Sequence, residues 1–253
     1  MKTIASPASG ETARQRLLSI RGEPLFYANW EDALFIHFET EVATLQGCVP
    51  FQLDLFKERA FVSLVAFRMR GMRPRIGGRL GALVLKPIAT HNFLNVRTYV
   101  RHHGEPAIYF MHEWLANRLS VLLGPAIFGL PYHPAKIDYR QNGLEGSVRA
   151  EEGSFNFRAC LRKGELTICE PGSLGEFLLE RYTAFTCRGL TKRFFRIWHE
   201  PWRQTSAEVD FAGTDLLRSS GDWWPKAQYI GANYAPGVAV WMGRPHPIAR
   251  MVS

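Results

Sequence analysis

Cationic, hydroxyl and aromatic side chains recur in three segments of this chain that could together bind a small anion. In residues 95–101, the alternation of an extended strand places Asn95, Arg97, Tyr99 and Arg101 on one face. Arginine forms charge-assisted bonds with carboxylates, and a few convergent polar groups in an apolar cavity are typical of a small-anion site. The pattern predicts such a site, with the candidate residues Arg97, Tyr99, Arg181, Tyr182, His199 and Trp202.

The same arginines also have a structural interpretation. A buried arginine can hold a carboxylate of the fold or cap main-chain carbonyl groups without contacting any ligand. His199 and Trp202 stand in an H-E-P-W motif that ends an alternating segment, a position that is compatible with either role. The sequence leaves both interpretations open.

The usual sequence motifs of cofactor and metal chemistry are absent. The chain has no Gly-rich phosphate loop, no dinucleotide-binding glycine motif, no G-x-S-x-G and no H-E-x-x-H. The eight histidines show no metal-ligand spacing, and His102 and His103 adjoin a glycine typical of a hairpin turn. We therefore predict neither a metal site nor a cofactor.

The net charge of +8 does not by itself indicate a nucleic-acid partner. Arginine supplies 24 of the 31 basic residues, and a basic total alone supports only non-specific attraction to polyanions. The densest cluster, residues 68–75, lacks the aromatic side chains on which bases stack and is followed by no recognition helix. A solvated strand end and loop is the favoured interpretation.

Segment composition bears on the cellular environment. No stretch reaches the run of about 18 apolar residues that spans a membrane, and the first twenty residues lack the apolar block of a secretory signal. The four cysteines are far apart and form no C-x-x-C pair, so we expect free thiols. We predict a cytoplasmic protein without a membrane partner.

Short apolar runs separated by turn residues predict a mainly β protein. Residues 1–20 are polar and are predicted to be a flexible arm, and residues 21–253 are predicted to be one domain. The predicted strands cover residues 34–38, 52–56, 60–70, 94–101, 107–113, 137–140, 147–151, 154–162, 165–170, 194–200 and 207–211.

Three helices interrupt these strands. Residues 41–46 form a short one, and residues 115–128 place leucines at helical spacing until Pro125 must end or bend the helix. The clearest start is Ser173, which with Glu176 has the capping-box pattern. That helix is predicted to run on through Arg181 and Tyr182.

Several long motifs in a fixed order resemble the YqjF-like family of uncharacterised bacterial proteins, in the acetoacetate-decarboxylase-like superfamily. They are W-x-x-x-L-F-I-H-F from Trp30, AFVSLVAFRMRGMRPR from Ala60, NVRTYV from Asn95, PAIYFMHEW from Pro106, FGLPYHPAKI from Phe128, PGSLGEFLLERYTAFT from Pro171 and WHEPW from Trp198. The resemblance covers about residues 25–240. It implies a single antiparallel β-barrel or cone with an internal cavity, and it brings no known activity.

The decarboxylases of this superfamily carry a G-x-P-Lys-Lys segment, in which one lysine forms a Schiff base and its neighbour lowers that lysine's pKa. The similar segment here ends in Tyr132 and His133, so both lysines are missing. Tyrosine cannot form an imine. Lys136, four residues beyond Tyr132, is a remote substitute whose more plausible place is the solvated face of a strand.

Two functions from different classes follow from the resemblance. The first is binding of a small carboxylate or enolisable carbonyl compound in the cavity, by residues that include Arg97, Tyr99, Tyr132, His133, Arg68 and Arg149. The second is an enzyme in which Tyr132 with His133, or His199, acts as general acid and base while Arg97 stabilises an oxyanion. The alternative for Tyr132 and His133 is packing of a helix–strand junction. A homo-oligomer is compatible with the sequence.

Overall fold

The computed structural model describes residues 10–250, which fold around one sheet of fourteen strands. The strands are β1 (Phe26–Thr40), β2 (Gln52–Leu53), β3 (Ala60–Pro74), β4 (His91–His102), β5 (Glu105–Leu115), β6 (Tyr132–Pro134), β7 (Lys136–Arg140), β8 (Glu145–Ala150), β9 (Gly153–Leu161), β10 (Thr183–Arg188), β11 (Thr191–His199), β12 (Thr205–Ala212), β13 (Gln228–Met242) and β14 (His246–Pro247). The α-helices are α1 (Gly10–Leu18), α2 (Val42–Gly47), α3 (Gly78–Leu85), α4 (Arg118–Ile127), α5 (Leu174–Leu179) and α6 (Asp215–Arg218).

Seven strands close into a ring. Their order is β13–β1–β3–β4–β5–β10–β11, and β11 pairs back with β13, where Ile197 lies opposite Met242. The predicted mainly β class is confirmed, but the expected antiparallel barrel is corrected to a mixed ring, because β5 pairs in parallel with β10 and with β6. Between β5 and β10 the chain builds α4, the strands β6 to β9 and α5, and parallel pairing requires such a long crossover.

The ring is covered on both faces. Strands β12, β9, β8 and β7 continue the sheet beyond β13, and their Phe155 packs in one buried cluster with Leu34 and Leu64 from the ring. The opposite face of the same ring strands carries Phe35 and Val65, which belong to a second buried cluster. Because water reaches neither face, β1 and β3 carry apolar residues at successive positions instead of alternating with polar ones.

The N-cap at Ser173 is confirmed, whereas Glu176 bonds to the residue before the cap and not to Ser173 itself. Ser173 Oγ accepts a hydrogen bond from the main-chain N–H of Glu176 (3.1 Å), and Glu176 Oε2 accepts one from the N–H of Gly172 (2.7 Å). Helix α5 ends at Leu179, so Arg181 and Tyr182 lie beyond it and not within it as predicted. The other two predicted helices are present as α2 and α4.

Two strands of the ring were not predicted. Strand β13 contains Gly231, Pro236 and Gly237, which weaken the strand pattern in sequence, yet it pairs with β1 along almost its whole length. Strand β10 begins at Thr183, immediately after the predicted helix, which ran through Tyr182, and no strand was predicted there. The strand predicted at residues 165–170 is reduced to one bridge between Thr167 and Gln204.

The predicted flexible arm needs revision. Residues Gly10–Leu18 form helix α1, which packs on β11 and buries Ala13 and Leu17, whereas residues 1–9 lie outside the described residues. No helix in the described part of the chain is both long and apolar enough to cross a membrane.

Truncating Leu17 tests whether α1 belongs to the folded core. Leu17 is fully buried and its neighbour Leu18 is 46% exposed, so the two leucines form a matched pair on one helix. We expect Leu17→Ala to lower the free energy of unfolding by about 2–4 kcal/mol, because a buried side chain leaves a cavity, and Leu18→Ala by less than about 1 kcal/mol. Urea unfolding of both variants measures the difference, and equal effects would contradict a docked helix.

Candidate functional site

The interior of the ring holds a cavity of about 190 Å³. Most of its wall is apolar and comes from facing strands, with Phe35, Phe67, Phe110 and Ile197 among its residues. Helix α4 and the end of α3 also contribute to the wall, through Leu123 and Leu85 respectively. The polar side chains that reach it are His91, Asn95, Arg97, Glu113, Ser120 and Tyr132.

Strand β4 places two of these polar side chains as the sequence predicted. Asn95 and Arg97 face the cavity, while Val96 and Val100 point outward into the core between the ring and the outer strands. Tyr99 is on the inward face too, but it is buried in the packing beside the cavity. The alternation of β4 therefore brings a guanidinium and a carboxamide to one wall.

A register shift in β5 brings Glu113 to the same wall. Val96 lies opposite His112 and Arg97 lies opposite Phe110, so Met111 is an extra residue on β5. Beyond the shift the inward positions change parity: Phe110 faces inward before it and Glu113 after it. Strict alternation from Phe110 would have pointed His112 into the cavity instead, which is why the sequence did not identify Glu113 as part of the wall.

Glu113 is a buried carboxyl group whose environment favours the neutral form. It is 4% exposed, and its Oε2 atom has no hydrogen-bond partner among the described residues. Burial raises the pKa of Glu113 well above its ordinary value, and hydrogen bonding from the Asn95 side chain only partly opposes that rise. The Oδ1 atom of Asn95 is likewise buried without a partner. A neutral acid and an amide oxygen thus offer a donor and an acceptor together.

Tyr132 lies next to Glu113 because β6 pairs in parallel with β5, with Tyr132 opposite Glu113 and His133 opposite Trp114. Burial raises the pKa of Tyr132 well above its ordinary value, so the phenol stays protonated. Helix α4 packs directly on the aromatic ring of Tyr132, since a Cβ atom on Gly124 would lie 2.2 Å from Tyr132 Cε2. Tyr132 is therefore held in one place.

Arg97 is the only one of these groups with a permanent charge. It is 5% exposed, its Nη2 atom donates to the carbonyl of Leu178 (2.9 Å), and its guanidinium lies 5.4 Å from the centre of the Phe35 ring. Its Nε atom has no partner, and no ion pair to Arg97 occurs within residues 10–250. Buried charges are normally paired with a charge of opposite sign, and this guanidinium has no such anion within residues 10–250.

A hydrogen-bonded chain supports Arg97 from behind. The hydroxyl of Tyr99 donates to the same Leu178 carbonyl (2.9 Å) and lies 2.5 Å from Ser63 Oγ. Ser63 Oγ is 2.7 Å from Nδ1 of His37, and the other ring nitrogen of His37 is 3.1 Å from Asn233 Oδ1. This chain fixes the Leu178 carbonyl that orients Arg97.

The histidine in that chain is neutral. Burial, and secondarily the charge of Arg97, lowers the pKa of His37 to about 3. The imidazole therefore carries a single proton and does not add a second buried cation beside Arg97. Arg97 remains the cation of this region at neutral pH.

The other candidate residues near the H-E-P-W motif serve the fold. Arg181 is fully buried but donates to Asp54 Oδ2 (2.7 Å) and to the Phe177 carbonyl. Tyr182 donates to Glu180 Oε2 (2.7 Å). His199 is bonded to the Glu200 carbonyl and enclosed by Tyr182 and Trp202, so that only Trp202 of this group reaches the cavity. The structural interpretation holds for Arg181.

Four further candidates lie away from the cavity. His133 turns outward, stacks on His112 (ring centroids 5.1 Å apart) and approaches Glu152, because it is opposite Trp114 and not Glu113. Arg68 bonds to Asp32 and Asn92. Arg149 and Lys136 are exposed on the outer strands β8 and β7. Among the described residues no group of three histidine, cysteine or acidic side chains is placed to hold a metal ion.

Replacing Glu113 by glutamine tests the buried neutral acid. The unfolded chain releases this proton near the ordinary value of 4.5, whereas the folded state retains it to higher pH. Rising pH therefore favours unfolding of the wild type until the folded pKa is reached, and glutamine removes this dependence. We expect the stability of Glu113→Gln relative to wild type to grow with pH above 4.5, by up to about 1.4 kcal/mol per unit.

Urea unfolding between pH 5 and 9 measures this difference. Exposed Glu151 provides the control, since Glu151→Gln is expected to leave the difference from wild type constant across the range. A Glu113→Gln profile parallel to that of the wild type would show that Glu113 is ionised in the folded protein.

The sequence of this chain is similar to a described protein family and to one of its relatives. A family model described as "Uncharacterized conserved protein" (DUF2071) matches residues 27–239. The uncharacterized protein YqjF of Bacillus subtilis is 29% identical over 204 residues, which are 78% of this chain and 82% of that protein.

Solved structures show a similar fold at low sequence identity. An acetoacetate decarboxylase-like enzyme from Sphingomonas wittichii RW1 has a TM-score of 0.58 and 14% identity, covering 89% of this chain and 94% of its own. The enduracididine biosynthesis enzyme MppR complexed with pyruvate has a TM-score of 0.59 and 10% identity, covering 89% and 90% of the two chains. At these identities the similarity establishes the fold alone.

Proposed function

This chain belongs to the DUF2071 family of uncharacterized conserved proteins, and we propose that it binds a small carboxylate or enolisable carbonyl compound in the ring cavity. Membership confirms the resemblance to YqjF-like proteins found in the sequence. The observation that carries the proposal is Arg97, a buried guanidinium that faces the cavity with an unpartnered Nε atom.

A carboxylate is the ligand group that matches Arg97. Its two oxygens accept charge-assisted hydrogen bonds from the guanidinium, and its negative charge compensates a cation that is otherwise unpaired in an apolar surrounding. A neutral ligand would satisfy the hydrogen bond but leave the charge uncompensated. The permanent charge of arginine makes this recognition independent of pH over the physiological range.

Glu113 and Asn95 provide a second anchor. The protonated Glu113 carboxyl donates to a carbonyl oxygen, and the Asn95 carboxamide oxygen accepts from a hydroxyl or from an enol. The two side chains lie on paired positions of β4 and β5, one inward position from Arg97, so one small molecule can contact both anchors. The remaining wall is apolar and suits a hydrocarbon substituent.

Two further observations support this ligand class. The MppR structure of similar fold contains pyruvate, a compound with both a carboxylate and a carbonyl group. No lysine is among the described residues that line the cavity, and Lys136 is exposed on the outer strand β7. The proposed binding therefore involves no Schiff base.

Binding measurements with Arg97→Met test the proposal. We expect isothermal titration of a graded series of 2-oxo acids, from pyruvate to 2-oxooctanoate, to give binding that weakens at least 100-fold in Arg97→Met, because the carboxylate loses its cation. Methionine keeps an apolar side chain of similar length, and removing an unpaired buried charge preserves folding. The methyl esters of the same acids should bind both proteins equally weakly.

Arg68→Met is the matched control, since Arg68 lies outside the cavity and pairs with Asp32. It should bind the acids as the wild type does. Equal affinity of wild type and Arg97→Met for every acid, or equal affinity of acids and esters for the wild type, would contradict the proposal.

The pair of Glu113 and Tyr132 favours an enzyme as the second candidate function. Both line the cavity, and the raised pKa of Glu113 makes its carboxylate a stronger base than an ordinary one. The sequence assigned general acid and base to Tyr132 with His133, or to His199, but His133 faces outward and His199 is enclosed. In this enzyme, Glu113 takes the histidines' place.

Deuterium exchange at the α-carbon of a bound carbonyl compound tests this candidate. NMR should show exchange catalysed by the wild type and lowered at least 100-fold in Glu113→Gln, since an amide cannot take up the proton. His133→Gln should retain the wild-type rate. Exchange that survives in Glu113→Gln would exclude Glu113 as the base.

A further inference from the structure

We propose that the surface formed by α3, α4 and the turn between β10 and β11 docks on an anionic lipid bilayer. We call this surface the lid face, and it consists of residues 73–88, 118–128 and 188–193. The inner sides of its two helices contribute Leu85 and Leu123 to the cavity wall, and the outer sides face solvent. The proposal is independent of the ligand that the cavity binds.

Large apolar side chains are exposed across the lid face. Leu80 and Val84 of α3 are 76% and 77% exposed, Leu122 of α4 is 69% exposed, and Leu190 in the strand turn is fully exposed. None of the residues of α3 is buried. Single exposed apolar residues are normal, but a group of this size on one surface is typical of an interaction site. The remaining members of the group are Ile76, Leu83, Leu119 and Ile127.

Contacts hold the three segments together as one surface. Asn117, the residue before α4, donates to the Pro87 carbonyl just after α3 (2.6 Å). From the other side, Arg188 and Arg193 donate to carbonyls at the end of α4, those of Pro125 (3.1 Å) and Ile127 (2.8 Å). The three segments therefore form one continuous surface, on which the exposed apolar side chains lie.

The charge of the lid face has one sign. The sequence contains no aspartate or glutamate in residues 71–90, 116–131 or 186–197, although the chain as a whole has 23 acidic residues. The same segments carry nine basic residues, Arg73, Arg75, Arg79, Lys86, Arg118, Arg188, Lys192, Arg193 and Arg196. An apolar patch with a purely cationic rim is complementary to a surface that is apolar below and anionic above.

A bilayer with anionic headgroups has this arrangement. Apolar side chains enter the boundary between headgroups and acyl chains, and arginine and lysine bind the phosphates. A second copy of the chain fits less well, because a two-fold interface would bring each cationic rim against its own copy. The expectation of no membrane partner rested on the absence of a spanning segment from the sequence. The lid face instead combines three segments that are distant in sequence, and a surface of this kind leaves no continuous apolar run.

Vesicle co-sedimentation of the full chain tests the proposal. We expect the wild type to bind vesicles of phosphatidylcholine with 30% phosphatidylglycerol at 0.1 M salt. It should not bind vesicles of pure phosphatidylcholine. Its binding to the anionic vesicles should be much weaker at 0.5 M salt, because salt screens the charges. Neutralising three cations by Arg75→Gln, Arg79→Gln and Lys86→Gln should weaken the partition about 100-fold, at roughly fivefold per cation. The polar triple variant Leu80→Ser, Val84→Ser, Leu122→Ser should lose binding as well.

Controls come from exposed residues elsewhere on the protein. Lys163→Gln with Arg203→Gln, and separately Ile168→Ser, should leave vesicle binding unchanged. Light scattering of the same proteins reports their mass. Absence of wild-type binding to anionic vesicles would overturn the proposal. So would equal binding to neutral vesicles, or a wild-type dimer that the leucine variant dissociates while neither protein binds vesicles.

Discussion

Arg97 keeps a full positive charge inside the strand ring, where the main-chain carbonyl of Leu178 is its only hydrogen-bond acceptor among residues 10–250. Much of the surrounding structure serves to hold that charge in one orientation. Helix α5 is stopped at Leu179 so that its last carbonyls are free to accept, and Tyr99 shares the Leu178 carbonyl with Arg97. The buried His37 nearby is kept neutral. The fold thus presents a guanidinium that is oriented but not neutralised.

The contrast with Arg181 shows why this matters. Both arginines are buried within the same region, and both donate to carbonyls of α5. Arg181 also has the carboxylate of Asp54 at 2.7 Å, so its charge is compensated by the fold. In the sequence, Arg97 and Arg181 are equally good candidates for ligand binding. Strand parity and residue type do not reveal a partner that is more than a hundred residues away. The structure separates a structural arginine from one that is available to a ligand.

Sequence predicted the parts of the site that depend on local periodicity. The face shared by Asn95 and Arg97 follows from the alternation of β4, and the N-cap at Ser173 locates the helix that orients Arg97. Glu113 was not predicted to line the cavity, because a single extra residue in β5 changes which face of the strand its side chain occupies. His133 was predicted to line the cavity but faces outward. The parallel pairing of β6 with β5 decides which of the adjacent residues Tyr132 and His133 faces inward, and the sequence does not reveal that pairing. The ring closes through β13, and this strand was not predicted because its glycines and proline are untypical of strands.

In the proposed complex, the Nε–H of Arg97 binds the anionic group of the ligand. The side-chain ¹⁵Nε–¹H resonance of Arg97, assigned by its absence from Arg97→Met, reports on that atom directly. Titration with the best-bound 2-oxo acid is predicted to shift this resonance strongly to saturation, while the methyl ester leaves it in place. A resonance that stays unchanged while the acid saturates its site would show that the anion binds elsewhere and would contradict the account.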